Sequence, residues 1–420
     1  MKNVKITLFL VSIVVALFFL MTLEGGLSLL EKPWKEIINL TFAPQRSLEL
    51  SALTQSFLVF ITLMLSVVLG LKMNNNKERF LVTAFVGGLM ISGSFLFSLY
   101  HYFWNPFPLE LVLILSSGVV SFFSFTAIGA RKTRLHQLFD GRLSLQIIEK
   151  LIESEVSLQF PGELKHGSIL VMTLSNHAEL MEALTPENYV QMTTLYLQVA
   201  SNFLVDVGGY LEECSGESIR SIFGVPLPLT GSMNHAAKAV RTALELVKRL
   251  EELNRECDLR WQQRLDFRIG IHSGEMLAAF YGTPRFNQYS VAGPTIEFAR
   301  YLSMLCLKYG CRILVGPNTY EMAENNAEFR PMDLLEYQGN CRYVELYEVL
   351  APKNALSRER ERSRDLFWQG ILSFRSEDFD QAREAFSAAR IFGIPDKALD
   401  LYLERIDKNR REKKTQEHQI

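Results

Sequence analysis

Four apolar runs near the start of the chain constrain its fold more than any other feature. They cover about Ile6–Leu23, Phe57–Leu71, Phe80–Tyr100 and Leu109–Ala130. An apolar stretch of about 20 residues has the length of a helix that crosses a bilayer. No small-residue cleavage site follows the first run, so it is expected to be retained as a helix rather than removed as a signal peptide. Residues 1–134 are therefore predicted to form an all-α transmembrane region with helices at about 6–23, 54–72, 80–101 and 109–130.

Basic residues predict how this region is oriented. They precede the first run, separate the second from the third and follow the fourth: Lys2 and Lys5; Lys72, Lys77 and Arg79; Arg131, Lys132 and Arg134. Because such residues favour the cytoplasmic side, both termini are predicted to be cytoplasmic in a multi-pass protein of the cell (inner) membrane. The simplest role for this region is an anchor in contact with membrane lipid. The alternative is a sensor of a lipid, a small ligand or a partner helix.

Charge and cysteine content exclude some functions. The chain has 44 Lys and Arg against 46 Asp and Glu, a formal net charge of −2, so no nucleic-acid partner is expected. The five cysteines lie in the later part of the chain without metal-ligand spacing: Cys214, Cys257, Cys306, Cys311 and Cys341. They are predicted to be free thiols in a reducing compartment.

Helical and strand patterns alternate after the membrane region. Residues 135–162 contain an amphipathic pattern that predicts a connector helix. Two short strands, Tyr210–Cys214 and Ser218–Phe223, are predicted around a tight Ser215–Gly216 turn. Tyr343–Val349 alternates like a final strand. The interleaved pattern predicts an α+β domain with a mixed sheet over about 163–351.

Three sequence stretches in this region resemble one family. They are GGYLEECSGESIRSIFGVP at Gly208–Pro226, RIGIHSGE at Arg268–Glu275 and QYSVAGPTIEFARYL at Gln288–Leu302. Their order, closed by LYEV at Leu346–Val349, resembles the class III adenylate/guanylate cyclase family. The resemblance implies a ferredoxin-like sheet with helices and a head-to-tail dimer with two sites at its interface. It also implies two aspartates that bind Mg²⁺ or Mn²⁺, a lysine and an aspartate for the purine, and an asparagine and an arginine for the ribose and phosphates.

The positions that match these six residues carry other side chains. The metal aspartates fall on Thr173 and Glu217, the purine residues on Glu213 and Gln288, and the asparagine and arginine on Glu297 and Tyr301. None of the six retains the side chain typical of the family, so the metal, substrate-binding and catalytic sets are predicted not to be intact. No cofactor is expected, with Mg²⁺ or Mn²⁺ reserved for residual cyclase activity.

These replacements favour a cyclase-like pseudoenzyme in cyclic-nucleotide signalling. It is expected to form a homodimer through the cyclase-like domain or to regulate an active cyclase or another protein partner. Two alternatives remain open. One is a weakly active cyclase that converts ATP or GTP to the 3′,5′-cyclic nucleotide, and the other is a non-catalytic sensor of a nucleotide or other ligand.

A helical segment is predicted at the C-terminus. Residues 358–363 (RERERS) form a charged break, and the apolar spacing that follows resembles a tetratricopeptide-like hairpin with a third helix, over 358–408. One repeat cannot bury a core alone, so this hairpin is expected to dock on the preceding domain or to bind a partner. The charged residues 409–420 are predicted to be a disordered tail.

Overall fold

The computed structural model describes residues 26–41, 48–49, 58, 61–62, 76–100, 102–125, 127–153, 162–229, 233–283, 287–337 and 343–417. The chain forms two compact units, Met1–Arg134 and Leu135–Ile420.

The described residues of the first unit are mainly helical. Its elements are α1 (Gly26–Thr41), β1 (Leu48–Glu49), α2 (Asn76–Leu99), β2 (Tyr102–Phe103) and α3 (Phe107–Phe125), and β1 pairs with β2 in parallel. Trp34 lies in a small aromatic core, where it contacts the rings of Phe95 and Phe107 and donates a hydrogen bond to Ser94 at 3.1 Å. The buried indole thus joins α1 to α2 and α3.

Four membrane-spanning helices are not confirmed. Among the residues that the structure describes, Phe80–Leu99 alone is long and apolar enough to cross a membrane, with 20 residues and a mean hydropathy of 2.0. The first predicted span lies outside the described residues, and only residues 58 and 61–62 of the second are described. The fourth is helical over α3 and again from Ala127.

The second unit is built on a mixed β-sheet. Its strands are β3 (Glu163–Leu174), β4 (Tyr210–Cys214), β5 (Ser218–Phe223), β6 (Phe267–Gly282), β7 (Asn287–Ala292), β8 (Ile313–Val315), β9 (Ala327–Glu336) and β10 (Tyr343–Pro352). The strand order is β4-β5-β3-β6-β8-β10-β9. The strand β7 pairs with the last part of β6, Leu277–Gly282, whereas β8 pairs with the first part, Ile269–Ile271. Only the β6–β8 pairing is parallel among the strands described in this sheet, so the predicted α+β class with a mixed sheet is confirmed.

Ten helices accompany this sheet in the described part of the chain. They are α4 (Ala127–Phe139), α5 (Leu145–Glu153), α6 (His177–Ala183), α7 (Pro186–Asp206), α8 (His235–Trp261), α9 (Pro294–Tyr309), α10 (Pro317–Ala323), α11 (Arg358–Arg375), α12 (Phe379–Ala389) and α13 (Lys397–Glu417). Local chemistry sets several of their ends. Asn234 accepts a hydrogen bond from the Ala237 amide at 2.7 Å and caps α8, and Gly310 ends α9 with a φ of 72°.

Each face of the sheet buries a different set of side chains, because successive residues of a strand point to opposite faces. On β3, Leu170 and Met172 join the core beneath α7 and α8, whereas Ile169 and Val171 join the core beneath α5 and the end of α4. Gly270 of β6 allows the helix α9 to pack closely against the sheet. A Cβ atom there would lie 2.1 Å from the Ala299 carbonyl oxygen, so only glycine lets α9 approach β6 this closely.

The connector differs from the single helix predicted over 135–162. It consists of the end of α4 and of α5, separated by a turn in which Gly141 has a φ of 71°. Phe139 is fully buried and contacts the rings of Tyr210, Tyr289 and Phe280. The chain turns after Phe139 because this aromatic contact fixes the end of α4 on the sheet.

The C-terminal helices pack on the domain and share a core with it. Phe367, Phe386 and Tyr402 lie in one buried cluster with residues of α9, β9 and β10 and with Leu314 of β8. The predicted charged break at 358–363 is instead the first part of α11, which Ser357 caps by accepting from the Arg360 amide. The helix α13 extends to Glu417, beyond the predicted start of a disordered tail at 409, since this segment is rich in helix-forming residues and Arg410 pairs with Asp380.

Candidate functional site

The structure brings Thr173 and Glu217 together at one end of β3. Thr173 is the strand partner of Ser218, and the amide of the next residue, Leu174, donates to the Glu217 carbonyl at 2.8 Å. The two predicted metal positions are therefore neighbours, as the resemblance implies.

Their chemistry does not suit a pair of divalent cations. Thr173 offers a neutral hydroxyl, and its strand partner on β6 is Arg268. The Glu217 carboxylate, whose side chain is 66% exposed, lies 3.0 Å from Nε2 of His177. Mg²⁺ and Mn²⁺ prefer several hard oxygen ligands with negative charge, and Thr173 and Glu217 together supply one carboxylate and one hydroxyl. Among the described residues, no group of three or more His, Cys, Asp and Glu side chains is placed to hold a metal ion.

The second pair, Glu213 and Gln288, lies next to Glu212, a residue that the family resemblance does not point to. A β-bulge between Leu211 and Glu213 interrupts the pairing of β4 with β5. Arg220 of β5 contacts the carboxylates of both Glu212 and Glu213, and its distance to Glu213 is 2.6 Å. Glu213 is thus half-buried and held in an internal ion pair.

Gln288 reaches the same point from β7. Its side-chain amide donates to the Glu212 carbonyl at 2.8 Å, and Arg142 of the connector turn donates to the same oxygen at 3.1 Å. Ser290 donates to the Glu212 carboxylate, which is buried. The amide of Leu211 donates in turn to the Arg142 carbonyl at 2.9 Å. The connector is therefore fastened directly to the strand that carries Glu213.

Burial changes the acidity of a neighbouring phenol. The ring of Tyr210 is fully buried, and its hydroxyl donates to the Tyr289 carbonyl. Burial raises the pKa of Tyr210 to about 12, although Arg142 nearby lowers it in part. Tyr210 therefore remains a neutral hydrogen-bond donor at physiological pH.

The third pair lies on α9. Glu297 is exposed, one turn from Arg300, with 3.7 Å between their charged atoms. The ring of Tyr301 lies 5.7 Å from that of Tyr337 and is partly buried against the core shared with the C-terminal helices. The helix therefore presents a carboxylate and a packed phenol where the resemblance implies an amide and a guanidinium.

The six predicted residues thus lie at three places: Thr173 and Glu217 at the end of β3, Glu213 and Gln288 next to Glu212, and Glu297 and Tyr301 on α9. The residues that sequence reasoning missed are Arg142, Glu212, Arg220, His177 and Ser290. Only Glu212 and Arg220 carried a signal, as opposite charges on the two strands of a predicted hairpin. The others are distant in sequence, and only the fold places them here.

The part of the chain that contains these pairs matches a known family. Residues 163–349 match the family model of the adenylate and guanylate cyclase catalytic domain. Adenylate cyclase 1 of Rhizobium meliloti (strain 1021) is 25% identical over 178 residues, which are 42% of this chain and 26% of that protein. The terminal-differentiation specific adenylate cyclase of Dictyostelium discoideum is 22% identical over 255 residues, which are 58% of this chain and 11% of that protein. The chain therefore spans only a minor part of the length of these two relatives.

Solved cyclase structures show similarity to about half of the chain. The guanylyl cyclase Cya2 is 22% identical with a TM-score of 0.43, and the match covers 47% of this chain and 97% of that one. The adenylyl cyclase CyaB from P. aeruginosa is 21% identical with a TM-score of 0.43, and the match covers 47% of this chain and 100% of that one.

Proposed function

We propose that this protein is a membrane-anchored cyclase-like pseudoenzyme in cyclic-nucleotide signalling, since residues 163–349 match the adenylate and guanylate cyclase catalytic domain. It retains the cyclase-like fold, lacks the residues needed for cyclase catalysis, and acts by dimerisation or by regulating a partner. One observation carries the proposal: none of the six functional positions has the side chain typical of the family, and the three carboxylates among them contact neighbouring residues of this chain. Glu213 pairs with Arg220, Glu217 with His177, and Glu297 with Arg300.

Electrostatics support the loss of activity. Two of the positions that would face substrate, Glu213 and Glu297, carry carboxylates in place of a cation and an amide. Each such charge close to a triphosphate opposes binding by on the order of 1 kcal/mol or more. Loss of a single electrostatic donor typically lowers a rate about 10²–10³-fold. Replacement of the metal aspartates and of the arginine together therefore leaves little catalysis.

A partner role follows from the same replacements. In a head-to-tail dimer each site takes one half from each chain, and this chain supplies neither half with the residues typical of the family. Pairing with an active cyclase would therefore block that cyclase rather than complete a site. A homodimer through the cyclase-like domain is the simplest assembly.

The membrane region completes the proposal. We propose four spans with both termini in the cytoplasm, and the apolar helix Phe80–Leu99 supports one of them. This arrangement would hold the cyclase-like domain at the cytoplasmic surface of the membrane, where an active membrane-bound cyclase would be within reach.

The decisive experiment measures cyclic-nucleotide formation by the full chain, purified in detergent, with ATP or GTP and excess Mn²⁺. The matched control is the Thr173→Ala/Glu217→Ala double variant, and light scattering reports the assembly. We expect equal, background product from both proteins and a dimer in solution. Product well above that of the double variant would overturn the pseudoenzyme, and a monomer that captures no cyclase would overturn the partner role.

A weakly active cyclase is the second candidate. It is favoured by Glu217, an exposed carboxylate beside the position of the missing aspartate. If this candidate is correct, Glu217→Ala abolishes a product that the unmodified chain makes. The third candidate, a ligand sensor, requires nucleotide binding that Gln288→Ala and Glu213→Ala weaken.

A further inference from the structure

A cleft of about 420 Å³ lies between the connector and the domain, away from the six positions above. One wall is α5 with the preceding turn, and the other is the start of α8. The end of α7 and the loop Gly224–Leu229 close it. A volume in this range is typical of sites for small ligands.

The charges that line the cleft are mainly positive. Lys238 and Arg241 are one turn apart on α8, and Lys150 lies opposite on α5, whereas Asp206 is the one carboxylate among the lining residues. Arg241 contacts Glu245 at 3.0 Å, but the Arg241 side chain is exposed, that of Glu245 is partly exposed, and Glu245 does not line the cleft. Because an exposed pair of this kind contributes little free energy, Arg241 can exchange Glu245 for an anion inside the cleft.

The rest of the lining is largely apolar. It comes from both walls and from the loop between them: Leu143, Ile147, Val225, Leu227, Leu229 and Met233. Burial of apolar ligand surface against such side chains is favourable by roughly 25 cal/mol per Å². An inorganic anion would contact the basic side chains and make no contact with this apolar surface.

We propose that this cleft binds a small anionic amphiphile, a phosphate or carboxylate head with a short apolar body. The head is held by Lys238 and Arg241, and the body lies against Ile147 and Leu227. The site does not depend on the proposed loss of cyclase activity, because none of the six family positions lines it.

A ligand bound in the cleft would link the connector to the rest of the domain. The ligand would contact α5 and α8 together and so hold the connector in place. The same connector reaches the strand of Glu213 through Arg142 and the Glu212 carbonyl. A molecule that binds only this arrangement stabilises it in proportion to the logarithm of its concentration.

Calorimetric titration of the full chain in lipid nanodiscs tests the proposal, with monobutyl phosphate, inorganic phosphate and 1-butanol as separate probes. We expect monobutyl phosphate to bind at least about tenfold more tightly than either of the other two. Equal binding of inorganic phosphate would overturn the amphiphile, since the apolar lining would then contribute nothing. Equal binding of butanol would overturn the role of the cations.

Two variants on the same helix separate the cleft from general charge effects. Lys238→Met/Arg241→Met removes two cations from the cleft, and Lys248→Met/Arg255→Met removes two exposed cations elsewhere on α8. We expect the first variant to weaken monobutyl phosphate binding at least about tenfold and the second to leave it unchanged. Circular dichroism confirms that both remain folded. No binding by the unmodified chain, or an equal effect of both variants, would contradict the site.

Discussion

The phenolic oxygen of Tyr309 lies 2.6 Å from the carboxylate of Asp333. Tyr309 ends α9, the helix that carries Glu297 and Tyr301, and Asp333 lies on β9. Arg405 and Tyr402 of α13 reach the same carboxylate at 2.7 Å and 3.1 Å. One buried aspartate thus ties the last helix of the chain to the domain.

Replacement of this aspartate tests how much the contact contributes. Burial alone would raise the pKa of Asp333, but hydrogen bonds from Arg405 and Tyr309 outweigh it and lower the pKa below its usual value. We expect Asp333→Asn to lower the free energy of unfolding by about 3–5 kcal/mol, because it leaves the Arg405 guanidinium without its buried partner. Chemical denaturation followed by circular dichroism measures the change. Asp258→Asn, at an exposed position, serves as the control.

A histidine makes the stability of the domain depend on pH. His272 is largely buried against Phe298, and its Nδ1 has no hydrogen-bond partner among the described residues. Burial lowers its pKa from 6.5 to about 4. Between these values the unfolded chain binds a proton that the folded chain does not, so stability is full above pH 6.5 and falls as the pH falls towards 4.

The expected size of this loss is up to about 3 kcal/mol. His272→Phe keeps an aromatic ring at the site and removes the titration, so its unfolding free energy should vary less between pH 6.5 and 4.5. Denaturation curves at several pH values for the two proteins give the comparison. Parallel pH profiles would show that His272 does not titrate as stated.

The glycine at 270 should tolerate no side chain. A Cβ atom there would lie 2.1 Å from the Ala299 carbonyl oxygen and 2.4 Å from the Ser303 amide nitrogen, both of which are backbone atoms. We expect Gly270→Ala to lower the free energy of unfolding by about 3 kcal/mol or more, at or above the upper end for overpacking. At Gly216, in contrast, the nearest side-chain atom is 3.5 Å away. A Gly216→Ala protein that loses as much stability would contradict this explanation.

Phe139 should anchor the connector. Its ring is fully buried among three aromatic rings, and its removal leaves a cavity in the core under the sheet. We expect Phe139→Ala to cost about 3–5 kcal/mol and to expose the connector to protease. Leu145→Ala, at a position 65% exposed, should leave both unfolding and proteolysis unchanged. Limited proteolysis with mass spectrometry would locate the cleavage.

Local patterns predicted some elements closely and others poorly. The bounds of β4 and β5 match the prediction, because the Ser215–Gly216 turn marks where the first strand ends and the second begins. The strand β6 runs unbroken through Ser273–Gly274, although these two residues have the composition of a turn. The Ser273 hydroxyl is instead buried between Ser168 at 2.6 Å and Thr319 at 2.9 Å, so its polar atom is satisfied inside the sheet.

The site shows the same division. The family resemblance implied that Thr173 and Glu217 lie close together, and the fold places them side by side. The prediction that the six replaced positions abolish activity rests on residue types and stays a prediction. The roles of Arg142 and His177 had no signal in the sequence, because their partners come from other elements of the chain.

Sequence alone determined the alternation of strands and helices, the tight turn at Ser215–Gly216 and the family that the domain resembles. These features depend on residues within a few positions of one another. Tertiary structure alone decided that Glu212 is buried while its neighbour Glu213 is half-buried, and that Asp333 meets an arginine 72 residues away. Such choices depend on which distant groups desolvate a charge and which compensate it, and neither is encoded in the local pattern.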